Sequence, residues 1–312
     1  MSASAPDWLR ALRAQAVLPP LRPRVPLWAG AALIGSVEPD FLDKIGGLDN
    51  FDGHHMLSKM KHPEQPGTVS GWHLAGDVTT GLNLLASRLH QAGLACAWRN
   101  EQLAVCDVQC QQGQRVGTVE RAAVRPLGIA TQAVHLVGLT PDGHFWVQQR
   151  ALDKPNDPGQ WDTLMGGMVS SRDTVETALT RETWEEAGLM PDQLHNLTHG
   201  GVLTLRKPAS DGNGAGYVVE HIDWYTCTVL NGVVPVNQDG EVAQFALMGA
   251  AQLLEAVQGG AFTLEASLIL AAVMGHHVEA PTACLAQNHP RNLSQNLLQT
   301  GSKNHLHRGV SS

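Results

Sequence analysis

Residues 166 to 189 read GGMVSSRDTVETALTRETWEEAGL and put five acidic side chains into a segment that otherwise has the pattern of a half-buried helix. Gly166 and Gly167 supply backbone freedom for a turn, Asp173 is the expected N-cap with Glu176 three residues on, and Gly188 ends the helix. Val175, Ala178 and Leu179 share an apolar stripe, whereas Glu182, Glu185 and Glu186 fall at i, i+3 and i+4 and share another face. Like charges at that spacing repel, and near a helix C-terminus the macrodipole disfavours them further. Local helix stability therefore does not explain the cluster. A hard divalent cation such as Mg²⁺ or Mn²⁺ does, because it prefers carboxylate oxygens and turns repulsion into coordination. The competing reading is a solvated acidic face, the ordinary meaning of a charge run.

The full spacing bears on that choice. From Gly167 the chain runs five residues to Asp173, seven more to Arg181, and then Arg181-Glu182-Thr183-x-Glu185-Glu186-x-Gly188-Leu189. This resembles the Nudix box, Gly-x5-Glu-x7-Arg-Glu-U-x-Glu-Glu-x-Gly-U, with U an aliphatic residue. Asp173 stands where the family has Glu, a loss of one methylene at a position that supports the arginine, and Thr183 stands where it has an aliphatic residue. Neither departure removes a metal ligand.

The resemblance implies an α/β class fold, a Nudix α/β/α sandwich with a mixed sheet. It also implies Mg²⁺ (or Mn²⁺) held by Glu182, Glu185 and Glu186, with Arg181 orienting a glutamate by charge-assisted hydrogen bonds. The implied activity is hydrolysis of a phosphoanhydride in a small-molecule diphosphate, with the backbone at Gly166 and Gly167 approaching the diphosphate or a ligand carboxylate. RPLGIATQAVHLVG, WVQQRALDK, PGQWDT and VNQDGEVAQFALM look like a two-domain branch of the family with thiamine-diphosphate-processing members.

Other positions carry two readings each. Glu241, in the turn Asp239-Gly240-Glu241, stands where the family often places a late acid that binds metal or acts as base; otherwise it is an ordinary turn acid. Arg150 and Lys154 are candidate phosphate contacts or solvated charges. Trp161 could stack on a planar ring of the substrate or belong to the core. Glu220 reaches the metal site or points to solvent. His135 reads as a satisfied strand histidine, and the pairs His54-His55 and His276-His277 lack a matched metal constellation.

Around this segment the chain divides. Residues 1–124 read as a small α+β N-terminal domain of unassigned role, 125–279 as the Nudix domain and 280–312 as a polar tail without apolar periodicity. PDWLRALRAQAV suggests an opening amphipathic helix, and residues 18 to 71, rich in Pro, Gly, His and Asp, suggest irregular structure. TGLNLLASRLHQAGL is helical in pattern, and ACAWRN, LAVCDV and RVGTVE are strand-like. AVHLVGL, HFWVQQR, GGVLTLRK and YVVEHIDWYTCTVL follow as strands, with AAQLLEAVQ and LEASLILAAVM as helices.

A net charge of -8 gives no electrostatic reason for binding nucleic acid, and no apolar run has the length of a membrane span. Five cysteines without a paired Cys-x-x-Cys indicate neither a disulfide framework nor a zinc site, which fits a cytoplasmic setting. The expected function is a pyrophosphohydrolase acting on thiamine diphosphate or its oxidised analogues. The alternatives are an ADP-ribose or NADH type hydrolase, a non-catalytic Nudix binding module, and an isomerase resembling isopentenyl-diphosphate isomerase, for which Cys227 would have to be a reactive thiol in the pocket. The N-terminal domain shapes substrate choice or forms a homodimer contact in these readings.

Overall fold

A computed structural model describes residues 5–46, 56–61, 69–108 and 114–276. The tail from residue 280, His54-His55, His277, Cys110 and Cys284 lie outside the described residues.

The chain opens with α1 (Asp7–Ala16), followed by β1 (Val25–Ala29), β2 (Ala32–Val37), β3 (Leu57–Lys61) and β4 (Val69–Leu74). These four strands form one sheet in the order β2-β1-β4-β3, with β1 and β4 parallel. The expectation of irregular structure over 18 to 71 is therefore corrected. Pro26 weighs against a central strand in the sequence, but the pairing of β1 with β4 begins only at Leu27↔Trp72, so the missing N–H of Pro26 leaves no gap on that side. Leu27, Ala29, Ile34 and Val37 then alternate inward to a core shared with α2 (Val78–Gln91). Asp77 caps α2 by accepting from the Thr80 N–H at 2.8 Å.

β5 (Gln102–Cys106) and β6 (Arg115–Glu120) pair antiparallel. Ala95–Asn100, expected as a strand, has none: Asn100 has φ 56°, and the Arg99 N–H is drawn to Glu120 Oε1 at 2.8 Å. The β5–β6 pair docks on the segment that leads into the acidic helix, where Leu103 bridges Ser170, the Ser171 N–H donates to Gln102 O and Arg115 donates to Ser171 O.

The large sheet runs β11-β12-β7-β8-β13 and contains β7 (Ala130–Leu139), β8 (Phe145–Arg150), β11 (His195–Ala209), β12 (Gly216–Thr228) and β13 (Val242–Met248). Two short strands sit off this path, β9 (Trp161–Asp162) on β8 and β10 (Met165–Met168) on β7. β7 and β12 are parallel and most other pairings antiparallel, so the sheet is mixed. The alternation along β7 sorts two cores: Val134 and Leu136 face α3 (Val175–Ala187), while Ala133 and Val137 face α5 (Ala250–Gln258) and α6 (Leu264–Val273). A single turn, α4 (Asp211–Gly214), joins β11 to β12. The result is an α/β/α sandwich preceded by a small α+β region, and among the described residues no helix is long and apolar enough to cross a membrane.

α1 does not pack with the strands that follow it. Leu9 and Ala16 join the core of α5, α6 and β11, Leu18 N–H donates to Arg206 O, and Trp8 meets His276 edge-on at 5.4 Å. Leu9 is 1% exposed, so Leu9→Ala is expected to destabilise the sandwich by about 2–5 kcal/mol, read as a lowered midpoint in denaturant unfolding. An unchanged midpoint would mean that α1 is not part of that core.

Candidate active site

β10 and α3 frame the site. Helix α3 begins one residue later than expected: Thr174, not Asp173, is the N-cap, in a capping box with Thr177, and Gly188 closes the helix at φ 63°. Asp173 is thereby released to the arginine, accepting from Arg181 Nε at 3.0 Å and Nη2 at 2.8 Å while Ser170 donates to it at 3.0 Å. The same guanidinium reaches the other way, donating from Nη1 to Glu182 Oε1 at 2.9 Å and Glu185 Oε2 at 2.8 Å. Burial opposes the charge of Arg181, yet Glu182, Asp173 and Glu185 hold it protonated well above the usual arginine value.

Glu186 is 1% exposed and held from three sides. It accepts from the Gly166 N–H at 3.0 Å and from the Gln148 amide at 2.8 Å, and Lys154 Nζ stands 3.6 Å from its other oxygen. Burial nevertheless raises its pKa to about 7 against the pull of Lys154, and burial likewise raises Glu182 to about 7, with Glu185 and Glu101 adding to the effect against Arg181. Glu241 differs: burial works to raise it, but the contacting Lys154 ammonium, with Arg121 and Arg99 further off, holds it below the usual carboxylate range. Lys154 thus joins Glu186 to Glu241.

The two glycines are required by close approach. A Cβ on Gly166 would meet the His135 ring at 2.7 Å, and one on Gly167 would lie 2.1 Å from the Glu182 carboxyl carbon. Of the two approaches expected of this turn, the structure has that to a carboxylate, through Gly166 and Glu186.

Four residues weighed in the sequence lie apart from this cluster. Arg150 is committed to Asp162 at 3.3 Å and to the Asn156 carbonyl at 3.1 Å. Trp161 packs at the margin of the α5–α6 core, its backbone bonded to Ala261 and Thr263. His135 is buried against Thr163 Oγ1 at 2.9 Å, a satisfied core histidine. Glu220 lies on the sheet face opposite α3, where Thr131 donates to it at 3.2 Å. Gln148 was not evident as a site residue in the sequence; its signal is a polar side chain on the buried face of β8, two residues after Trp146.

The donors suit a hard cation. Glu182, Glu185, Glu186 and Glu241 offer oxygen ligands, and Gln148 Oε1 is buried beside Glu186 without a hydrogen-bond partner. Among the described residues no three His, Cys, Asp or Glu side chains converge as a closed metal cage, since Arg181 lies between Glu182 and Glu185.

Two substitutions test this packing. Gly167→Ala is expected to displace Glu182 and remove divalent-cation binding measured by calorimetry, with the fold retained by circular dichroism. Thr183 is 1% exposed and its hydroxyl has no partner, so Thr183→Val is expected to stabilise the protein by about 1 kcal/mol in denaturant unfolding. A lower midpoint would show that the hydroxyl is satisfied.

Comparison with known proteins gives this geometry a family. Residues 130–265 match the NUDIX domain. The chain is 30% identical over 148 residues to Nudix hydrolase 24, chloroplastic, of Arabidopsis thaliana, covering 46% of this chain and 40% of that protein. It is 30% identical over 156 residues to an isopentenyl-diphosphate Delta-isomerase of Kocuria rhizophila, covering 49% of this chain and 81% of that protein. Among solved structures it is similar to DR0079 from Deinococcus radiodurans, with a TM-score of 0.44, 19% identity and coverage of 55% and 98% of the two chains. The chain spans only 40% and 38% of the length of two Arabidopsis hydrolases it matches. With its domain at residues 130–265, the chain belongs to the Nudix family.

Proposed function

We propose that the protein is a divalent-cation-dependent pyrophosphohydrolase that splits a diphosphate linked to an organic moiety and leaves a monophosphate. The observation that carries this reading is that Glu182 and Glu186 pack against the Gly167 and Gly166 backbone, with Glu185 joined to Glu182 through Arg181 and Glu241 joined to Glu186 through Lys154. Mg²⁺ or Mn²⁺ bound by these carboxylates would neutralise charge on the phosphoanhydride oxygens and make a water more acidic.

The chain's own residues divide the remaining work. Glu186 is fixed by Gly166 and Gln148, so its oxygens have little freedom, as a ligand of defined position requires. Asp173 makes two bonds to Arg181 that do not involve Nη1, so the arginine would keep its place if Glu182 and Glu185 turned to hold an ion. Glu241 is kept ionised by Lys154 and is half exposed, so it is open to water as a proton acceptor, although the ammonium that keeps it ionised also weakens it as a base. Lys154 beside it supplies positive charge for a phosphate oxygen.

An isomerase would need a proton-carrying thiol in the pocket. Cys227 is 2% exposed in the apolar core beneath α3, and burial pushes its thiol up to about 12. Of the other free thiols among the described residues, Cys106 lies on β5 of the N-terminal region, and Cys96 lines the cavity between that region and the large sheet with its Sγ turned to the Gly93 carbonyl at 3.2 Å. The hydrolase reading is therefore preferred although several relatives are isomerases. Within it, thiamine diphosphate and its oxidised analogues are the first substrates to test, with ADP-ribose and NADH as the alternative.

The test is Mg²⁺-dependent turnover of thiamine diphosphate, oxythiamine diphosphate, ADP-ribose, NADH and dinucleoside polyphosphates. Monophosphate release from at least one is expected, falling by about 10²-fold or more in Glu186→Gln. No metal-dependent release from any of them would overturn the reading. Release confined to the nucleotides would discard thiamine diphosphate and leave the chemistry.

A further inference from the structure

A cavity of about 260 Å³ lies where the N-terminal region meets the large sheet. One wall comes from Ala97, Arg99 and Arg121, and the other from Met168 of β10 with Val218 and Glu220 of β12. Pro155 and Asn156 of its lining follow Lys154, which contacts Glu186 and Glu241. Met168 follows Gly167, against which Glu182 packs, and Arg99 and Arg121 both bear on the charge of Glu241. Arg121 is also paired at 2.7 Å with Glu101, whose charge acts on Glu182.

We propose that this cavity is the subsite for the organic half of the substrate. Its occupant is a nitrogen heterocycle whose N–H donors face the Glu220 carboxylate, and Arg99 and Arg121 line the way from it to the diphosphate. The inference rests on the hydrolase reading for the position of the diphosphate.

The polarity of the walls sets the chemistry. Glu220 is half-buried, and Thr131 donates to one of its oxygens at 3.2 Å, so the inner end presents acceptor capacity in an enclosed place. Burial and the neighbouring Glu265 raise the carboxyl, whereas Arg125, His135 and Thr131 oppose them; a donor from a ligand adds to the second set. Arg125 is not free to cancel it, since Arg125 also meets Asp211 at 3.6 Å and Asn156 at 3.3 Å. A phosphate at this end would face Glu220, so the anionic part of the ligand lies toward Arg99 and Arg121. A prenyl chain would cover the carboxylate without offering it any donor beyond Thr131, which is a strong basis for rejection. A volume below the usual range for ligand pockets suits one small ring system and not both halves of a dinucleotide.

Monophosphates allow the subsite to be measured apart from hydrolysis, because they hold no phosphoanhydride. Thiamine monophosphate, AMP, isopentenyl monophosphate and inorganic phosphate are titrated by calorimetry into the full chain with Mg²⁺. At least one of the two heterocyclic compounds is expected to bind about tenfold or more tightly than the other two ligands. Glu220→Gln and the cavity-filling Ala97→Phe are each expected to weaken that binding about tenfold while the melting temperature is retained. Heterocyclic compounds that bind no better than inorganic phosphate would overturn the proposal. Unchanged binding in Ala97→Phe would remove the ligand from the cavity, and unchanged binding in Glu220→Gln would remove the role of the carboxylate. If binding behaves as expected and no diphosphate is cleaved, the hydrolase reading fails and the subsite stands; cleavage that is indifferent to both variants gives the reverse.

Discussion

The arrangement of this site depends on one carboxylate being taken out of water. Glu186 could not be accommodated at 1% exposure without partners, and the fold supplies them from separate strands, the Gly166 N–H on β10 and the Gln148 amide on β8. Both strands pair with β7, directly or at its end, so the position of Glu186 is tied to the register of the large sheet. A shift of β10 by one residue would turn Gly166 and Gly167 to opposite faces, placing a backbone N–H away from Glu186 and bringing a neighbouring side chain against Glu182. Sheet register and ligand geometry are therefore one constraint.

Charge compensation is distributed in the same economical way. Arg181 faces Asp173 on one side and Glu182 with Glu185 on the other, and Lys154 stands between Glu186 and Glu241. Four carboxylates near one turn are thus met by two cations, and the surplus is negative. Burial first and neighbouring carboxylates second raise Glu182 and Glu186, while Lys154 holds Glu241 low. A divalent cation answers that imbalance with charge of the right sign and with ligand hardness matched to oxygen.

The acidic helix was legible because its spacing is local. Glu182, Glu185 and Glu186 lie within five residues, and helical geometry alone places them together. The large strands were legible from alternation for the same reason. What the chain did not disclose depends on partners distant in sequence. The N-terminal sheet was hidden because Pro26 and the surrounding glycines and histidines depress local strand signal, and the parallel pairing of β1 with β4 spans most of that region. Ala95–Asn100 has apolar residues in a strand-like order, but a positive φ at Asn100 and the pull of Glu120 divert it. Asp173 looked like an N-cap by its position, and the competing demand of Arg181 eight residues on decided otherwise. Gln148 gives only the weak signal of a polar side chain among the apolar residues of β8, and Glu220 that of an acid within a strand; their partners come from the meeting of strands.

The packing of α1 has a consequence for how the protein is made. Its helical partner α6 is the last of the described helices in chain order, and α1 precedes every other described element. During synthesis the apolar side of α1 waits, unpartnered, while the N-terminal strands assemble beside it and almost the entire chain is still to come. Completion of the sandwich is then a late event that draws the first helix onto the last, with a large loop already closed between them. The two regions of the chain are consequently joined by a shared final folding step as well as by a peptide connection, and separating them at their boundary would leave the sandwich without one of its core helices.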